Sequence, residues 1–419
     1  MPPVNRDQLA RAQRIQTWSI LIGASVMLSL SMGMRQSFGL FMTPVTGDLG
    51  ISVADYTLAI AVQNIAWGLS QPFIGAMADR YGCRPVTIAG TVLYGLGIGA
   101  TMVATGTFML MVGMGLLMGL ALSCTAAAIA MTAAARAVSA ARQSLMLGAV
   151  SAAGSVGTFI AAPLAQVLIA DHGWQIALVG FLGLTVVMLP AAFATGVVDR
   201  IPAGRAWGTG PAEPDLGFRG ILEEAANHRG FLIMAASYFV CGLQLVFLTT
   251  HLPTFLADCG EDPMLGAQAL ATVGVFNIAG CYVIGWLGGR YPRQILLGIV
   301  YILRSLAIAA YFLMPVTPAS TLLFAAIMGF LWLGVAPLVS GLVAQIFGLR
   351  YMATLTGIAF LSHQVGSFFG AWGGGILYDA LGSYTLAWQL GVAIGLAAGV
   401  AQLLMDDKPT PRMLRAQAA

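Results

Sequence analysis

Charge is what this sequence has least of. Asp, Glu, Lys and Arg make up 8% of its 419 residues, against roughly 25% in an ordinary soluble domain. So few charges cannot clothe a water-facing surface of this size, which argues against a soluble protein. Cysteine is scarce too. Cys83, Cys124, Cys241, Cys259 and Cys281 are odd in number and contain no C-x-x-C pair. That argues against a disulfide framework or a zinc site and leaves cysteines acting as small hydrophobes. There is no basic stripe, so the net charge of +3 does not point to nucleic acid. No selectivity-filter segment suggests a channel, and no nucleophile or metal-ligand constellation suggests an intramembrane enzyme. No cofactor is expected.

What is present is apolar. Hydrophobic residues account for 58% of the chain, and the 52 Gly and 18 Pro fall largely within apolar runs, where membrane helices tolerate them. Hydropathy marks twelve spans near residues 17–42, 54–77, 85–104, 108–132, 144–169, 174–197, 230–251, 264–287, 294–314, 319–341, 353–377 and 384–405. Each has about 20 residues or more, enough to cross a hydrocarbon layer of about 30 Å. The first is too long for a signal-peptide core, and no convincing cleavage site follows it. The expected fold is an all-α membrane protein of twelve transmembrane helices.

The basic residues give that reading an orientation. Of nineteen Lys and Arg, seventeen fall at the termini or in connections on the same side as the termini, and none falls in the opposite connections. By the positive-inside rule both termini are expected in the cytoplasm of a cell whose plasma (inner) membrane holds the chain. The two exceptions, Arg35 and Arg304, lie inside spans. No carboxylate lies deep in any span by this reading.

The longest polar stretch divides the chain into a six-span half at 1–197, a cytoplasmic linker at 198–229 with a possible short surface helix near Glu223 and Glu224, and a second six-span half at 230–419. A repeat links the halves. Gly75, Asp79, Arg80, Tyr81, Gly82 and Arg84 follow span 2, and Gly285, Gly289, Arg290, Tyr291, Pro292 and Arg293 follow span 8. Matched turns after the second span of each half suit a parallel-repeat transporter.

The first turn resembles the signature loop of the major facilitator superfamily, and the resemblance extends over the whole chain. Within that superfamily the chain is most similar to the bacterial monocarboxylate-transporter and oxalate/formate-antiporter branch. The similarity is carried by Arg35 to Phe41, by Ala152 to Gly154, by Thr250 to Pro253, and by Ser362-His363-Gln364 with Gly366, Gly370 and Gly373. It implies secondary transport of a small organic anion, a monocarboxylate first of all, by proton symport or anion exchange. It also implies a cytoplasmic gate formed by Gly75, Asp79, Arg80, Gly82 and Arg84. Gly75 would let helices approach closely, and Asp79 would pair with a cation or a helix N-terminus. Branch members hold carboxylates with a cation in span 8 or span 11. Here span 8 offers Gly280-Cys281, and the span 11 position is similar to His363.

The residues themselves support an anion. A charge at mid-span costs about 2.5–3.5 kcal/mol even on the gentlest scale, and arginine cannot shed its proton. Two arginines without a buried carboxylate call for a counter-charge from the ligand. The expected substrate contacts are Arg35, Phe38, Asn64, Trp67, Gln244, Asn277, Arg304, His363 and Gln364. Arg304 has the alternative of tying span 9 to its neighbours. His363 can carry a coupled proton. His251 is expected to serve an interfacial role at the outer end of span 7. The span 11 glycines are expected to pack helices. The expected partners are a small anionic substrate, protons and the lipid bilayer, with the chain acting as a monomer. The rival reading is an exporter of drugs or other amphipathic small molecules.

Overall fold

The computed structural model describes residues 6–138, 140–201, 217–332, 334–348 and 352–418. They form helices, and among the described residues there is no strand. Among the described residues, ten segments are long and apolar enough to cross a bilayer. Two further rods, Val53–Tyr81 and the run from Met352–Phe368 through Phe369–Gly373 to Gly374–Leu381, bring the count to twelve. These two are the more polar; they meet at Asn64 and Gln364, whereas Gln63 and Gln71 bond span 4 and Ser362 bonds span 7. Gln63, Asn64 and Gln71 lie on span 2, and Ser362, His363, Gln364 and Ser367 on span 11.

Local sequence sets the ends of the rods. Ser52 caps span 2 by accepting from the Asp55 N–H. Asp262 accepts from Met264 N–H ahead of Pro263 at the start of span 8, Pro263–Gly288. Thr317 and Ser320 form a capping box at Pro318–Phe330. Gly82 links span 2 to span 3, Cys83–Met102, at φ 95°, a conformation costly for any side chain.

Spans 1, 4 and 10 are composite, as span 11 is. Span 1 runs as Arg6–Gln36, a 3-10 segment Ser37–Phe41, and Met42–Leu49. Span 4 is interrupted at Ala126, between Met118–Thr125 and Ala127–Ala137. Span 10 is interrupted between Pro318–Phe330 and Val335–Phe347. The remaining spans are Ala140–His172, Trp174–Thr195, Arg229–Asp258, Arg293–Leu313 and Thr385–Leu403. The expected surface helix is present as Gly217–Asn227. It buries Ile221 and Ala225, and its Glu224 pairs with Arg412 at 3.2 Å.

The largest buried apolar cluster is drawn from residues 221–405. The next is drawn mainly from residues 27–192. Spans 1–6 and 7–12 are called here the N-terminal and C-terminal sets, and the side holding the chain ends is called the terminal face. At the opposite, far face the sets are locked together. A Cβ on Gly39 would collide with the Thr249 carbonyl oxygen, and the Thr43 and Thr254 hydroxyls meet at 3.3 Å. Midway, Asn277 Nδ2 donates to Ser155 Oγ at 2.6 Å between spans 8 and 5. Toward the terminal face, the span 2 side chains Phe73, Met77 and Tyr81 are exposed.

Candidate functional site

Arg35 ends the first helix of span 1, where the backbone tightens into the 3-10 segment. One of its NH2 groups donates to Asn64 Oδ1. Its guanidinium carbon lies 5.1 Å from the centre of the Trp67 ring, within cation–π range. Its Nε is buried and has no acceptor. Thus the Arg35 charge rests on a neutral amide and an indole, with its buried Nε unused. A water-sized recess on its far-face side is lined by Gln36, Gly39, Gln63, Val246 and Thr249, among others.

Asn64 connects this charge to the other set. Its Nδ2 donates back to the Ile60 carbonyl, and its own carbonyl accepts from Gln364 Nε2 at 3.2 Å. A carbonyl can only accept, so the Gln364 amide must present its NH2 there. Gln364 Oε1 then faces His363 Nδ1 at 3.1 Å, closer than Ser367 Oγ at 3.4 Å, and this contact is a hydrogen bond when Nδ1 carries the hydrogen. The nitrogen left for proton exchange is His363 Nε2. The His363 ring lies nearly parallel to Phe360, with centroids 5.9 Å apart, and 4.7 Å from Tyr238. Phe360 meets Trp67 edge-on at 5.3 Å, across the seam between the sets.

Arg35, Asn64, Trp67, His363 and Gln364 therefore form one connected group. Four other expected contacts lie elsewhere. Arg304 is fully buried, and its guanidinium donates to the Leu331 and Trp332 carbonyls and to Cys241 Sγ. The interruption of span 10 frees those carbonyls, and Arg304 fills the gap, so the tie to a neighbouring span is the arrangement found. Gln244 is turned away from the seam and donates to Ser305 Oγ and the Gly391 carbonyl of spans 9 and 12. Asn277 joins span 8 to span 5. The Phe38 ring packs on Phe41 and Phe181 within the N-terminal set, although the residue borders the recess beside Arg35.

His251 is not at an interface with water or lipid. It is wholly buried between Tyr384 OH at 3.1 Å and the Ala371 carbonyl at 2.8 Å. Gly366 and Gly370 press against the Phe239 and Leu243 carbonyls, the packing role expected of them, whereas a Cβ on Gly373 would meet nothing within 4 Å among the described residues. Cys83, Cys124 and Cys241 are buried, but Cys259 is exposed.

Phe360 and Ser367 join this group and were not anticipated. Their signal was in the spacing: Phe360, His363, Gln364 and Ser367 share one helical face at offsets of three and four.

The signature loop has a partner that the sequence did not suggest. Asp199, in the segment Gly196–Arg200 after span 6, accepts from the Cys83 and Arg84 N–H groups at 2.7 and 2.9 Å. Its carboxylate thus caps the N-terminus of span 3 beside Gly82. Arg80 is exposed, with its guanidinium over the Tyr81 ring at 5.3 Å. A Cβ on Gly75 would meet nothing within 4 Å among the described residues, so none of their helices approaches it closely in this conformation. The Asp79 side chain lies outside the described residues.

Comparison with known proteins places this arrangement. The sequence profile of the Major Facilitator Superfamily matches residues 24–371. Monocarboxylate transporter 13 of Rattus norvegicus is 26% identical over 387 residues, covering 91% of this chain and 86% of that protein. An uncharacterized MFS-type transporter of Bacillus subtilis (strain 168), YcxA, is 23% identical over 398 residues, covering 93% and 96%. The sialic acid transporter NanX of Escherichia coli (strain K12) is 24% identical over 250 residues, covering 59% and 58%. With its profile match over most of the length and its twelve rods, the chain belongs to the Major Facilitator Superfamily and is a multi-pass membrane transporter, not an enzyme.

Proposed function

We propose that this transporter moves a small organic anion with a single carboxylate by alternating access, and that Arg35 receives that carboxylate. The observation that carries the proposal is the state of Arg35. It is a permanent charge within a span, held by neutral groups and with a buried Nε that has no acceptor. A carboxylate supplies both the missing charge and the missing acceptor, and the planar guanidinium can grip it with two bonds. Two of the relatives are named for monocarboxylates and sialic acid, which supports an acidic cargo. Arg304 is left out of the site because its donors are already used.

Coupling follows from His363. With Nδ1 committed to Gln364, Nε2 is the nitrogen that can take a proton. An anion beside Arg35 offsets the repulsion between the guanidinium and a protonated His363. Substrate and proton would then load together, giving symport; exchange of anions requires no such step. The seventeen basic residues outside the spans support a cytoplasmic terminal face, in keeping with a transporter of the plasma (inner) membrane. The loop from Gly75 to Arg84 would gate the cytoplasmic side.

The test is uptake into liposomes containing the purified protein, with a panel of mono- and dicarboxylates beside neutral and cationic drugs. Monocarboxylates should be taken up, and Arg35→Ala should stop their uptake. Transport of only neutral or cationic compounds, unaffected by changes at Arg35, would replace this reading with the amphipathic-compound exporter.

A further inference from the structure

Asp379 occupies a position that its own helix disfavours. It lies in the last turn of the helix Gly374–Leu381 at the far-face end of span 11. A carboxylate there meets the negative end of the helix dipole. Its compensation comes from the other set. Asp379 Oδ1 accepts from the Val53 N–H at 3.2 Å, and Oδ2 accepts from the Ala54 N–H at 2.7 Å. Those are the first two residues of span 2, whose next donor is already taken by Ser52. The unpaired N–H groups at the start of one rod are thus satisfied by the carboxylate at the end of another.

The same device appears within one set, where Asp199 caps span 3 through two adjacent N–H groups. That contact joins neighbours in a single packed body and can persist through a transport cycle. The Asp379 contact bridges the two sets. One turn earlier, Gly375 lies so close to span 2 that a Cβ would collide with Thr57 Oγ1. Span 11 therefore reaches span 2 directly beneath the carboxylate. The other far-face closures, Gly39 against Thr249 and Thr43 against Thr254, are neutral. Asp379 supplies a charged contact to the seam.

We propose that Asp379 is a positioning residue of the transport cycle, a latch that holds the far face closed and must release Val53 and Ala54 before the site at Arg35 can open to that side. The inference rests on the alternating-access reading. Its test needs no substrate, so the latch and the anion reading can fail separately.

The reporter is Thr250→Cys, a buried residue bordering the recess beside Arg35, in a background with Cys259 and Cys281 replaced by alanine. A maleimide that cannot cross the bilayer is applied to the far face, and the labelling rate is followed. Asp379→Asn should raise that rate about two- to fivefold, the scale of a charge at an exposed helix terminus. Val53→Pro removes one donor at a helix position that tolerates proline. It should raise the rate in the parent and add nothing in Asp379→Asn. The second substitution keeps the test informative if Asp379→Asn inserts poorly. Labelling unchanged by either substitution, or accelerated equally by Val53→Pro in both backgrounds, would overturn the latch.

Discussion

Arg35 and Arg304 carry the same charge into the membrane, one in each set, and they are accommodated in opposite ways. Arg304 is enclosed by its own protein. Span 10 breaks next to it, the break exposes carbonyls, and the guanidinium occupies them. Arg35 is only partly provided for. Asn64 and Trp67 steady it, and one buried donor remains without an acceptor. An intramembrane charge is thus not a binding site by itself. What separates an internal brace from a site is whether the protein has already used the donors.

The comparison is broken most forcefully at Arg304. Arg304→Met should leave two buried carbonyls unpaired, at about 1–3 kcal/mol each. The expected result is a large fall in thermal unfolding temperature, with unchanged substrate affinity in whatever protein remains folded. Arg35→Ala should do the reverse. It removes a charge costing about 2.5–3.5 kcal/mol at mid-span, so thermal stability should hold or rise while uptake is lost. Arg35→Lys keeps the charge without the planar fork. Losing a charge-assisted bond worth about 1.5–3 kcal/mol should weaken binding roughly 10- to 100-fold, as measured by equilibrium binding.

Asn64→Asp sharpens the contrast by making Arg35 resemble Arg304. A carboxylate placed beside the guanidinium satisfies it from within. The variant should fold well, and carboxylate affinity should fall by about tenfold or more in the same binding assay. The smallest effect expected is at His363. If it carries the coupled proton, uptake should decline as pH rises through its titration in the parent and become flat in His363→Gln. This is measured as initial uptake rate against pH, with thermal stability unchanged.

The sequence made the twelve spans readable because each is a long apolar run, and the placement of arginines gave them a common orientation. It also brought Arg35, Asn64, Trp67, His363 and Gln364 forward, since polar and charged groups within spans are costly enough to stand out. Which way each one turns was not legible. Gln244 and Asn277 are as polar and as deep as Asn64, yet the first turns to spans 9 and 12 and the second to span 5. Rotation about a helix axis is set by packing against neighbours, and the sequence of one span does not contain it. Which of its two expected roles Arg304 takes was not legible for a related reason. Its partners are backbone carbonyls released by a break some thirty residues away, and carbonyls have no sequence signature. Asp199 and Asp379 carry no mark in the sequence, because their partners are the N–H groups of remote helix ends.

The central claim is that the cargo's carboxylate completes Arg35. The most direct test compares a monocarboxylate with its neutral amide of the same shape, by thermal shift on the purified protein. The acid should stabilise the parent in proportion to its concentration, the amide should not, and the difference should vanish in Arg35→Ala. Equal stabilisation by acid and amide in the parent, or a preference for the acid that survives Arg35→Ala, would contradict it.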